Sequence, residues 1–124
     1  MFPNTKISVT IATFGKALVN QLPPDFTKEE LEEVMSVVIT VWNAVTFDAW
    51  EQTNKQEKEV LAAIGNERQA LLEVKRLIKR KKTKYAHDLR AVGKRWVREE
   101  PDGEIIFGCE ASADIEKIKL SGKH

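Results

Sequence analysis

The sequence predicts an α+β domain: an N-terminal bundle of three or four helices with a C-terminal antiparallel β-hairpin packed against it. Three observations lead there. Apolar residues recur at helical spacing through the first two thirds of the chain, a capping box opens its most apolar stretch, and Pro101-Asp102-Gly103 divides two short strand-like runs. At 124 residues the chain is expected to form one domain. Its helical part falls at about 5–82, the hairpin at about 92–111 and a tail at 112–124.

In the first segment, Thr5 to Leu22, Ile7, Val9 and Ile11 alternate as in a strand. Ile7, Ile11, Phe14, Leu18 and Leu22 recur at helical spacing over a longer window, a pattern harder to produce by chance, so a helix is expected. Pro23-Pro24 ends it. The first proline bars the helical region to Leu22, and neither ring has an N–H to donate.

The second helix, about 27–52, has the clearest signal. Thr27 fits the N-cap with Glu30 three residues on, and Phe26 and Leu31 stand where a hydrophobic staple packs. Glu29, Glu30, Glu32 and Glu33 put negative charge at the positive end of the helix dipole. Leu31, Met35, Val38, Trp42, Val45 and Ala49 line one face, and Val34, Val37, Val41 and Ala44 widen it, as suits a central helix packed on more than one side. Twelve of the seventeen residues from Val34 to Trp50 are apolar, but Ser36, Thr40, Asn43, Thr46 and Asp48 interrupt them. A membrane span needs about 20 mostly apolar residues, so the stretch reads as a core helix, and no membrane is expected as a partner. Asn43 and Asp48 are expected to cap a neighbouring element or to lie at an edge of the stripe.

Thr53-Asn54 marks a break, and Asn54 with Glu57 repeats the cap pattern before the short apolar face of Val60, Leu61 and Ile64. Gly65-Asn66 suits a helix stop, and Asn66 with Gln69 a restart. A fourth helix, about Glu67 to Lys82, turns Leu71, Val74, Leu77 and Ile78 to the core and Lys75, Arg76, Lys79, Arg80 and Lys82 outward. Helices three and four read equally as one long helix containing a glycine.

Beyond them, Val92–Glu99 and Glu104–Ala111 flank the turn. With Asp102-Gly103 as a two-residue loop, Glu100 faces Ile105, Arg98 faces Phe107 and Trp96 faces Cys109, which puts Trp96, Phe107 and Cys109 on a face that closes over the helices. The alternative is a mostly α fold with a winged helix-turn-helix C-terminal half, in which a helix runs from Lys84 through Trp96. Gly93 counts against it. The tail suits a short helix through Ile115, Ile118 and Lys119 that frays at its end.

For chemistry the sequence offers little. His87 and His124 are the only histidines, no metal-ligand or phosphate-cradling motif is present, and the lone Cys109 reads as a packed residue. A non-enzymatic protein with no cofactor and no metal is expected. A ligand pocket on Trp42, Asn43, Phe47 and Trp50 is a lesser alternative to their packing in the core. One cysteine and an N-terminus without signal character point to the cytoplasm.

The functional clue is charge. Lys75 to Arg98 holds eleven of the twenty basic residues against one acid, Asp88, a local charge of +10 in a chain of net charge +1. Self-repulsion of this kind is relieved by an anionic partner. The helix dipole explains part of it, since cations are favoured in a last turn. The expectation is a basic surface at 75–98 that engages nucleic-acid phosphate through Arg76, Lys79, Arg80, Lys82, Lys84, Arg90 and Arg95, with Tyr85 and Trp96 placed to stack on bases. The alternative is a protein-interaction module or homodimer that uses the apolar helix. There, residues 25–59, at −6, meet an opposing basic face, or the basic segment meets another acidic partner.

Overall fold

The computed structural model describes residues 6–112, and the expected helix through Ile115, Ile118 and Lys119 lies outside them. The described residues form five helices and one two-stranded antiparallel sheet, an α+β fold. None of these helices is long and apolar enough to cross a membrane.

The first apolar segment is two helices where one was expected, α1 (Ile7–Phe14) and α2 (Lys16–Val19). The apolar spacing was read correctly: Ile7, Ile11 and Phe14 are buried, and Leu18 and Leu22 are half-buried against the core. The break falls at Gly15, whose backbone lies against Val38 so closely that a Cβ would stand 2.7 Å from a valine methyl. Periodicity reports which residues face inward and is blind to whether the helix axis continues.

α3 (Lys28–Glu51) is the spine, packed on α1, α2, α4, α5 and the first strand. Its capping box is formed: Thr27 Oγ1 accepts from the Glu30 N–H at 3.1 Å, and Glu30 Oε1 accepts from the Thr27 N–H at 3.0 Å. Leu31, Met35, Val38, Val41, Trp42, Ala44 and Val45 are buried, while Ala49 is exposed near the C-terminal end.

α4 (Lys55–Ile64) and α5 (Arg68–Lys84) are separate helices. Gly65 parts them at φ +68° and ψ −129°, a conformation that side-chain-bearing residues avoid. Both expected caps differ. Asn54 makes no capping bond. Asp48, from the preceding helix, instead accepts the Gln56 and Glu57 N–H groups at 2.9 and 2.8 Å. Likewise Glu67, not Asn66, caps α5 by accepting from the Gln69 N–H.

β1 (Val92–Glu99) and β2 (Ile105–Ala111) pair antiparallel, so the winged helix-turn-helix alternative is excluded: residues 85–91 after α5 are not helical. The register differs by one residue from the expected one, with Arg98 opposite Ile106, Val97 opposite Phe107, Trp96 opposite Gly108 and Arg95 opposite Cys109. The turn explains it. Gly103 N–H donates to the Glu100 carbonyl and Glu100 N–H to the Glu104 carbonyl, which makes Pro101-Asp102-Gly103 a three-residue loop. Proline takes the first corner and only Gly103 has positive φ, whereas a type I′ two-residue loop needs it at Asp102 too. One step of slip exchanges the faces. Val97, Ile105 and Phe107 therefore pack on the core, and Trp96 is left 40% exposed.

The core lies between α1, α3, α5 and the hairpin. At its centre Phe14, Trp42 and Tyr85 meet edge to face, with ring centroids 5.1, 5.7 and 5.6 Å apart. Asn43 joins α3 to the hairpin by donating to the Val92 carbonyl at 3.0 Å and accepting from the Val92 N–H at 2.8 Å. Val92 is buried, so Asn43→Ala leaves both groups unpaired. A loss of about 1–3 kcal/mol is expected in urea unfolding, with the fold retained by circular dichroism.

Candidate anion-binding surface

α5 ends in a run of cations because Val74, Leu77 and Ile78 hold its other side in the core. Lys75, Arg76, Lys79 and Lys84 are exposed along about 14 Å of helix. Arg76 lies 3.5 Å from Glu73, and no ion pair among the described residues involves Lys75, Lys79 or Lys84.

The other predicted site residues are engaged elsewhere. Lys82 pairs with Glu57 at 2.6 Å and ties α5 to α4. Arg80 is half-buried, with its guanidinium 5.8 Å from the centroid of the Tyr85 ring. Arg90 forms a two-pronged contact with buried Asp88, Nε to Oδ1 at 2.9 Å and Nη2 to Oδ2 at 2.6 Å, and also reaches Thr10 of α1. The hydrogen bond with Asp88 holds the Arg90 guanidinium above its ordinary pKa. Arg95, on β1, donates to Ser36 of α3 at 3.3 Å, away from the α5 helix itself. The seven predicted residues therefore do not converge on one patch.

Of the two aromatic candidates, Tyr85 is buried and Trp96 is exposed. Trp96 lies across Gly108, where a Cβ would stand 2.5 Å from the indole, so the glycine is what lets the ring rest on the strand. Exposed Lys94 and Arg98 bracket it, with Arg98 also 3.3 Å from Glu100.

No protein-family model matches this chain, and neither a curated protein nor a solved structure does so significantly. The reading of the surface rests on its own geometry.

That geometry gives little to catalysis. Among the described residues no group of three or more His, Cys, Asp or Glu is placed to hold a metal ion. His87 is exposed, and its neighbour Asp88 is taken by Arg90. Burial pushes the Cys109 thiol up to about 11, which opposes thiolate formation. The suggested pocket does not form as such: Trp42 is fully buried, Asn43 serves Val92, and Phe47 and Trp50 meet each other edge to face.

Sequence reasoning missed Lys81. Only 2% exposed, it donates from Nζ to the Tyr85 and Asp88 carbonyls at 2.8 and 2.6 Å and lies 4.2 Å from the centroid of Trp42. The signal was present, since position 81 follows Leu77 and Ile78 on the apolar face at spacings of four and three. Burial lowers its pKa from 10.5 to about 8, although the nearby Asp88 charge acts the other way. The folded chain thus binds this proton less tightly than the unfolded chain. The cost of the buried charge is full below pH 8 and is relieved as pH rises from about 8 toward 10.5. Relative to Lys81→Met, the native protein is expected to gain about 1 kcal/mol in urea unfolding between pH 7 and pH 9. The variant cancels other titrations, including that of Cys109.

Proposed function

We propose that this protein is a non-enzymatic binding domain whose α5 face engages an anion, in the first instance nucleic-acid phosphate. The observation that supports this reading is the set of exposed cations Lys75, Arg76, Lys79 and Lys84 on one helix, of which only Arg76 pairs with an acid among the described residues. Arg80, over Tyr85, flanks them. Lys75, Lys79 and Arg76 lie on one side of α5, within reach of about three phosphates of a strand whose axial rise is about 3.4 Å, while Lys84 stands about half a turn round the helix from Lys75. Trp96 with Lys94 and Arg98 offers a second, separate contact of the kind single strands use, an aromatic platform between cations. A cytoplasmic protein fits this partner.

Fluorescence anisotropy with a short DNA duplex and with single-stranded RNA tests the proposal. Binding in the range of about 10⁻⁴–10⁻⁶ M is expected at physiological salt, with log K falling against log salt at a slope of about −2 to −3. Lys79→Glu/Lys84→Glu should weaken binding at least tenfold and flatten the slope. No binding of either probe at low salt removes nucleic acid as the partner.

A further inference from the structure

The side of α3 turned away from Trp42 and the hairpin carries a groove. Val34, Val37 and Val41 of α3, Val60 and Ile64 of α4 and Val74 of α5 line a space of about 710 Å³. Val37 is 42% exposed there, and its neighbours Val34, Val60 and Ile64 are only half-buried. A contiguous apolar strip of this kind, rimmed by polar residues, marks a place where another surface packs.

The charge around it selects the occupant. Among the described residues, the ionisable ones lining the groove are Glu33, Glu59 and Glu73, with no lysine or arginine, in a chain that has twenty basic residues to place. An anionic lipid surface or nucleic acid is disfavoured there. From Glu33 to Val41 the wall runs for about 12 Å, two turns of helix. We infer that the groove docks a partner's cationic amphipathic helix, which inserts apolar side chains at i, i+3 or i+4 and i+7 and turns its flanking Lys or Arg toward the glutamates. Among the described residues, a second copy of this chain offers a poor fit. Its cationic helix face, on α5, offers a single exposed large apolar side chain, Leu72. The groove and the exposed α5 cations share no residue and meet at the Arg76–Glu73 pair, so Glu33 and Glu59 are the glutamates offered to the partner.

The test uses the full chain and a fluorescein-labelled fourteen-residue peptide of leucine and lysine with leucine at that spacing, beside a leucine and glutamate peptide of the same pattern. Saturable anisotropy change is expected for the lysine peptide alone. Affinity should fall at least tenfold in Val37→Asp and again in Glu33→Lys/Glu59→Lys, but stay within twofold in Lys79→Glu/Lys84→Glu. Val37, Glu33 and Glu59 are exposed, so unchanged urea midpoints are expected, and the charge-reversal variant decides the matter if Val37→Asp is unstable. Three results overturn the inference: no binding of the lysine peptide, equal binding of the glutamate peptide, or binding indifferent to both groove variants. Sedimentation in which the protein self-associates and Val37→Asp is monomeric does so too, by making a second copy the occupant.

Discussion

The connection between α5 and the hairpin has no regular structure, yet Tyr85, Asp88 and Ala91 are buried in it, as is Val92 where β1 begins. A buried backbone outside regular structure must still have its N–H and C=O groups paired, and here turn and edge backbone contacts supply some partners while side chains supply the rest. Trp42 Nε1 donates to the Arg90 carbonyl at 2.7 Å, Asn43 takes both groups of Val92, and Lys81 takes the carbonyls of Tyr85 and Asp88. Asp88 in turn holds Arg90, which reaches α1 through Thr10. The hairpin is thereby joined to α3, α5 and α1 at one place, and the packing of Phe14, Trp42 and Tyr85 fills the space beneath.

This network changes the meaning of the basic segment. Counted along the chain, its charges are one block. Placed in space, Lys81 and Arg90 satisfy the fold from inside, Lys82 joins two helices, and Arg95 reaches α3. A lysine at such a place is held by carbonyls, a ring face and Asp88 against the cost of its own desolvation, and its lowered pKa records which effect is larger. What faces water on α5 is a smaller set of cations, on a different element from the hairpin's Lys94, Trp96 and Arg98.

How far each feature was legible depended on whether its cause was local. The Thr27–Glu30 capping box and the Gly65 break involve neighbours in sequence, and both formed where read, whereas the first helical segment ends at Val19, short of the Pro23-Pro24 stop. Asp48 was legible as a cap but not as the cap of α4, because its partners lie eight and nine residues on, across a turn whose geometry the sequence does not state. The hairpin was legible in both strands and missed by one residue in register. Asp-Gly suggested a two-residue loop, but the preceding proline made the corner and lengthened it. That single residue exchanged Trp96 for Val97 on the core face, and with it the whole reading of which aromatic ring is free to bind.

By itself the sequence determined the order and type of the elements, the inward faces of the helices and the excess of positive charge after residue 75, since periodicity, caps and composition act over a few residues. Only the tertiary structure decided which charges reach water. A cation's fate depends on the carbonyls, rings and acids brought beside it by segments distant in the chain. Lys81 is buried by the backbone that follows α5, and Lys79, two residues earlier on the same helix, is exposed because none of the described residues packs over it.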